Sequence, residues 1–245
     1  MSTGGTESLI DITERGRDQA GQPITMDRRL FVQLLALERP AGLSPHTVLE
    51  GFGRALERYG LTGVVYEDVQ HPRGYALLTV TEDPADLITK VRPALAEGPL
   101  AELSVRPHLC MIGRTYSTGF EHDLEYWLLR RPRQTVLNEA WPWAVWYPLR
   151  RKGAFERLDG AEKGAILREH GMIGRAYAEA DLAHDVRLAC HGLDENDNEF
   201  LLGLVGKELY PLSRVVQAMR STRQTSEFME KMGPFFVGRA ALRHA

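Results

Sequence analysis

The chain has 245 residues, 43% hydrophobic and 26% charged, enough for one large domain or two small ones around a substantial core. A formal charge of −3 without a dominant lysine and arginine block removes the general electrostatic reason to bind nucleic acid, and no run of about 18 apolar residues offers a membrane span. Cys110 and Cys190 lack metal-ligand spacing and read as buried small hydrophobes in a reducing cytoplasm.

Residues 1–25 contain no apolar signal core and read as a mobile arm. RLFVQLLAL from Arg29 has strand length, and a polar turn with Pro40, Gly42 and Pro45 follows it. Val48, Phe52, Leu56 and Tyr59 repeat at helical spacing up to Gly60. LTGVVYEDV and YALLTVTE then read as strands joined by a turn at His71 to Gly74. EDPADLITKVRPAL returns to helical spacing and LSVRPHLCMIGRTYS to strand character.

The same order recurs downstream. AWPWAVWYPL reads as a strand, residues 160–180 as a long helix, HDVRLACHGL and EFLLGLVG as strands, LYPLSRVVQAMR as a helix and GPFFVGR as a last strand. A β-α-β-β-α-β unit read twice predicts an α+β protein of two ferredoxin-like halves, residues 26–138 and 139–245, combined in one chain. MIGRTYSTGFEHDL from Met111 and MIGRAYAEADLAHDV from Met172 form a local echo, although the first falls on a strand and the second on a helix.

On the long helix, Ile166, Leu167, His170, Met172 and Ile173 make an apolar-looking stripe that includes one histidine. Such an imidazole is either a hydrogen-bonded core residue or a ligand to a metal or haem iron. WPWAVWYPLRRKG runs from an aromatic strand into Arg150, Arg151 and Lys152. Those cations are either a solvated loop or guanidinium forks for carboxylates at a pocket mouth, and three of them are too few for a nucleic-acid footprint. Arg133 and Arg220 are further basic candidates.

EHGMIGRAY, followed by GLD, MR and GPFFVGR (Gly233 to Arg239), resembles the proximal-histidine segment and C-terminal half of the chlorite dismutase superfamily, which includes the coproheme decarboxylases. The resemblance covers about residues 140–240 and implies two ferredoxin-like halves forming a barrel, with haem b or iron coproporphyrin III (coproheme) in the C-terminal half. His170 takes the place of the iron ligand. YPLRRKG resembles the decarboxylase segment whose tyrosine is redox-active, so Tyr147 takes the catalytic place. Arg151 takes the place of a basic residue contacting propionates, and Arg220 falls in a segment where an arginine faces substrate carboxylates; Arg150 and Arg133 are retained with them.

The implied chemistry is peroxide-dependent. The phenol yields an electron and a proton, its radical takes hydrogen from a propionate, and loss of carbon dioxide and a second electron leaves a vinyl group. The residue over the iron stays open: counting back from Gly192 gives Asp185, counting forward from His170 gives Ala183, and a two-residue slip gives Arg187. A distal Arg187 would favour chlorite as substrate, while His184 or His191 could act as a distal base. The resemblance also implies a homo-oligomer, commonly a pentameric ring, that works on hydrogen peroxide or chlorite, with non-catalytic or haem-free relatives as the alternative.

Overall fold

The computed structural model describes residues 10–245. Strands β1 (Glu14–Arg17) and β2 (Pro23–Met26) pair as an antiparallel hairpin. The arm expected over residues 1–25 is therefore corrected from Glu14 onward; residues 1–9 lie outside the described residues. The hairpin is anchored far from itself in sequence: the Glu14 carboxylate accepts from the Ser117 backbone at 2.8 Å, and Arg17 N–H donates to Glu121 O at 3.1 Å.

The first half runs β3 (Phe31–Glu38), α1 (Pro45–Tyr59), β4 (Gly63–Asp68), β5 (Gly74–Thr81), α2 (Asp86–Thr89), α3 (Val91–Leu95), β6 (Ser104–Val105) and β7 (Met111–Arg114). Ser44 caps α1, accepting from Thr47 N–H, and Gly60 closes it at φ 57°, a conformation that favours glycine. The single helix expected after β5 is two short ones, broken at Lys90. A connecting segment follows, with a π-helical turn (Tyr126–Arg130) running straight into α4 (Arg131–Leu137).

The second half runs β8 (Trp143–Arg151), α5 (Gly160–Glu179), β9 (His184–Ala189), β10 (Phe200–Gly206), α6 (Leu209–Met219), α7 (Arg223–Phe228), β11 (Met229–Met232) and β12 (Phe236–His244). The strand order is β7-β3-β5-β4 in the first half and β12-β8-β10-β9 in the second, the same ferredoxin-like arrangement twice. Antiparallel pairing of β4 with β12 and of β7 with β9 closes the two sheets into an eight-stranded barrel. Each half thus completes the other's edge, which leaves no open edge on the ring. The MIGR echo plays no part in this symmetry, because Met111 lies on β7 and Met172 on α5.

Alternation sorts each strand into two faces. Ala144 and Trp146 of β8, Val186 and Leu188 of β9, and Leu201 and Val205 of β10 fill the barrel interior with Leu34, Ala36, Tyr66, Leu78 and Phe236. Leu124, Leu128, Leu129 and Val136 of the connecting segment pack into the same cluster. A Cβ on Gly203 would lie 2.5 Å from the Trp146 ring, so the indole needs a glycine on the neighbouring strand. On the outer faces, α1, α2 and α3 cover the first half through Val48, Phe52, Leu56, Leu87 and Val91, while α5 and α6 lie over the second.

Candidate functional site

The outer face of the second half differs from that of the first. Val145, Tyr147 and Leu204 meet Leu212 and Val215 of α6, but many of the surrounding apolar side chains, including Ile173, Tyr177, Leu202, Met219, Met232, Phe235 and Val237, are only partly buried. Along α5, a helix of 20 residues, Ile166 alone is fully buried. The helix and the sheet thus form the walls of an apolar cleft whose side chains stay partly exposed. Its inward stripe is Ile166, His170, Ile173 and Tyr177, whereas Met172, 71% exposed, and Leu167 point outward, correcting the stripe expected from sequence.

Tyr147 stands on the sheet wall of this cleft because it shares parity with Val145 and Leu149 and opposes Trp146. Register sets it in a row, Tyr147–Leu202–Arg187, beside a second row, Val145–Leu204–Asp185. The phenol ring stacks on Phe235 at 4.5 Å. Burial pushes the Tyr147 hydroxyl well above the usual phenol range, partly offset by the positive charge of Arg220.

His170 stands on the helix wall. Its Nδ1 lies 3.2 Å from Thr222 Oγ1, and that hydroxyl donates to Met219 O at 2.8 Å. With the Thr222 proton committed to a carbonyl, the hydroxyl accepts from the ring; the bonding therefore assigns the imidazole proton to Nδ1 and leaves the Nε2 lone pair free. Burial lowers the His170 pKa, helped by the charge of Arg187 and opposed by that of Glu169, which keeps the ring neutral. Thr222 begins α7 but does not cap it, because its hydroxyl is turned to Met219 and His170. Glu169 accepts from Arg223 N–H at 3.1 Å and Arg223 pairs with Glu162 at 2.8 Å, so α7 is tied to the helix that carries the histidine.

The arginines divide by what they already hold. Arg220, at the end of α6, makes no ion pair and no side-chain hydrogen bond among the described residues and acts on Tyr147 through its charge. Arg151 is packed between the Phe155 and Phe200 rings and forks onto Glu199, with Nε at 3.1 Å from Oε1. Arg150 pairs with Glu230 at 3.4 Å and Asp197 at 3.7 Å. Protein carboxylates thus engage both guanidinium groups, and aromatic rings also flank that of Arg151, while the buried Arg150 Nε has no hydrogen-bond partner among the described residues. Arg133, on α4, lies in the first half beside Glu82 and is not brought together with the residues of the cleft.

Among the distal candidates, Asp185 is held by Arg131 at 2.6 Å and by Arg187 at 2.9 Å. Burial alone would raise its carboxyl, but the two guanidinium groups outweigh that and hold it below the ordinary range. Ala183, fully buried, belongs to the apolar cluster of the cleft. Arg187 keeps its side chain half exposed on the cleft face. His184 stacks on Trp141 at 3.6 Å and bonds Asp181, and His191 lies beyond β9 against Phe200.

Sequence reasoning missed Thr222, Arg131 and Glu199. A threonine three residues past a helix end and just before the next is a recognisable cap signal, but nothing in it indicates a histidine 52 residues earlier.

This donor set fits an iron porphyrin. A neutral imidazole with Nε2 free suits axial ligation, the half-buried apolar side chains suit a flat macrocycle, and Arg220 suits a carboxylate at its edge. Among the described residues no group of three or more His, Cys, Asp or Glu side chains is arranged to hold a metal ion, and no helix is long and apolar enough to cross a membrane.

The fold has solved counterparts. A haem-binding protein from Thermus thermophilus is 20% identical, with 87% of this chain and 91% of that one aligned at a TM-score of 0.67. A variant chlorite dismutase from Candidatus Nitrospira defluvii is 12% identical over 89% of this chain and 93% of that one, at a TM-score of 0.69. No curated protein matches the chain in sequence. The chlorite dismutase family model matches residues 77–241, two thirds of the chain and the whole of the cleft; the protein belongs to the chlorite dismutase family.

Proposed function

We propose that the protein binds an iron porphyrin through His170 Nε2 and catalyses peroxide-dependent decarboxylation of coproheme to haem b, with Tyr147 as the residue that passes the oxidising equivalent to the propionates. The observation that carries this reading is the placement of a buried, protonated phenol and a neutral imidazole with its Nε2 free on the two walls of one apolar cleft. Iron coproporphyrin, once bound, would be both substrate and the centre that reduces peroxide.

The chain's own residues do the rest. His170 fixes the macrocycle and Arg220 attracts a propionate. Tyr147 gives up an electron and its phenolic proton, then recovers a hydrogen atom from the propionate β-carbon. Loss of carbon dioxide and one further electron from that carbon chain leaves the vinyl group, and each peroxide reduced to water takes up the two electrons released. The reaction suits a cytoplasmic enzyme, and a ring of subunits is the assembly that the family resemblance supports.

A second reading rests on Arg187. By strand register it shares the face of Tyr147 two strands away, and its charge acts on His170, so it would favour an oxyanion such as chlorite near a bound iron.

The test is reconstitution with iron coproporphyrin III followed by hydrogen peroxide titration, with product mass and absorbance recorded together. Two successive losses of carbon dioxide plus two hydrogens, absent in Tyr147→Phe while binding persists, support the decarboxylase. Oxygen release from chlorite that disappears in Arg187→Ala favours the second reading, and binding with neither reaction leaves a haem carrier.

A further inference from the structure

The chain has four tryptophans, and their surroundings differ. Arg131 lies over the Trp127 ring at 4.9 Å. Trp146 is fully buried, and its Nε1 meets no carboxylate. Trp143, in the cleft with Tyr147, makes no hydrogen bond through its Nε1 among the described residues. Trp141, just before β8, donates its Nε1–H to Asp181 Oδ1 at 3.1 Å. The same oxygen takes His184 Nε2–H at 2.8 Å, and the imidazole stacks on the Trp141 ring with centroids 3.6 Å apart and 15° between the planes. Lys207 bonds the other oxygen, and the bonds from Lys207, His184 and Trp141 hold the Asp181 carboxyl down at about 2.

An indole gives up an electron most readily where the positive charge left behind is met by a negative one. A guanidinium over Trp127 does the reverse, and burial without a counter-charge makes an oxidised Trp146 costly. The Lys207 side chain stands half in water, which screens its charge, so the carboxylate acts on Trp141 more than the ammonium does. Trp141 is therefore the indole on which a one-electron vacancy comes to rest.

It is also connected to the cleft. Tyr147 follows Trp146 on β8, and the six-membered ring of Trp146 lies against Gly203 of β10. Gly203 pairs with Val186 of β9, and His184, two residues before it, shares the inward parity of Val186. Trp146 and His184 thus stand two strands and two residues apart, a Cα separation of about 12 Å, with the Trp146 ring reaching across the strand between them. Trp141 packs against the same interior cluster as Trp146.

We propose that Trp141 is a surface oxidation site for electron-rich phenols, reached from the cleft through Tyr147 and Trp146. The inference rests on the porphyrin reading, with hydrogen peroxide as the oxidant. When no propionate restores Tyr147, an electron from Trp146 does so together with the phenolic proton released earlier. Trp141 refills Trp146, and a phenol at the surface refills Trp141 and releases its own proton to water. Over two such transfers one peroxide and two phenols give two waters and two phenoxyl radicals.

The experiment has a ligand-free and a loaded arm, both on the full chain. Ligand-free protein is oxidised with photogenerated tris(bipyridine)ruthenium(III), and the products are mapped by peptide mass. Trp127, Trp141 and Trp143 are all half-buried, so exposure alone would spread the damage among them. Oxygen addition is expected chiefly at Trp141 and should fall roughly tenfold there in Asp181→Asn, which removes the charge and suits the left-handed backbone of this residue at φ 54°. Protein loaded with iron coproporphyrin III is then given peroxide and guaiacol. Trp141→Phe should cut guaiacol oxidation by about tenfold while porphyrin affinity and decarboxylation persist, and Lys207→Gln should raise it. Equal damage at Trp127 and Trp143, or undiminished guaiacol oxidation in Trp141→Phe, would overturn the assignment. No porphyrin uptake, with the indole ranking intact, would overturn the porphyrin reading and the phenol oxidation with it.

Discussion

His170 Nδ1 and Thr222 Oγ1 lie 3.2 Å apart across two helices, and the Thr222 hydroxyl is itself anchored on Met219 O at 2.8 Å. This relay orients the imidazole and selects its tautomer before any ligand arrives. Thr222→Val keeps the shape and removes the acceptor, so Nε2-protonated imidazole should appear in the ¹⁵N spectrum of the ligand-free protein, and iron porphyrin affinity should fall about tenfold. Thr222→Ser should restore both. An unchanged tautomer in the valine variant would remove Thr222 from this role.

The depressed pKa of His170 sets a pH dependence with a definite sign. The unfolded chain takes up a proton near 6.5, whereas the folded chain resists until a lower pH because the ring is desolvated. The stability contributed by this group is therefore present above about pH 6.5 and is lost as pH falls through the folded value. His170→Gln should flatten that part of the stability profile in urea melts between pH 7 and 5. Iron porphyrin binding should weaken over the same acidic range as protons compete for Nε2.

Arg220 and Arg151 should respond oppositely to truncation. Arg220 holds no side-chain partner among the described residues, so Arg220→Ala should leave stability nearly unchanged while weakening coproheme more than protoporphyrin iron, a difference that shrinks in high salt. Arg151→Ala strands the partly buried Glu199 carboxylate and should cost about 3 kcal/mol in chemical denaturation. Comparable porphyrin affinity in the folded Arg151 variant and the parent would separate the two roles.

Gly203→Ala should also be destabilising, by about 1–3 kcal/mol, because the added methyl meets the rigid face of a fully buried indole. The double variant Gly203→Ala with Trp146→Leu should recover part of the loss, and thermal melts of the three proteins measure it.

Local patterning made much of this molecule legible in advance. Apolar and aromatic runs of strand length marked β8 and β9, helical spacing marked α1 and α5, and the doubled β-α-β-β-α-β order marked the two halves, because these are properties of residues close together in the chain. Strand alternation placed Tyr147, Asp185 and Arg187 together once register was known. The N-terminal hairpin escaped notice: its strands are four residues each, and its anchors, Ser117 and Glu121, lie about a hundred residues away.

The sequence by itself determined most of the strands and the longer helices, the duplication and the presence of a histidine, a tyrosine and several arginines in the second half. Only the tertiary structure decided which of those groups are free to act. Arg151 and Glu199 are 48 residues apart and His170 and Thr222 are 52, so whether a guanidinium already holds a carboxylate, or which imidazole nitrogen keeps its lone pair, depends on contacts that form only when the strands and helices are packed. Chemistry at a site follows from unsatisfied groups, and satisfaction is a property of the fold rather than of the local sequence.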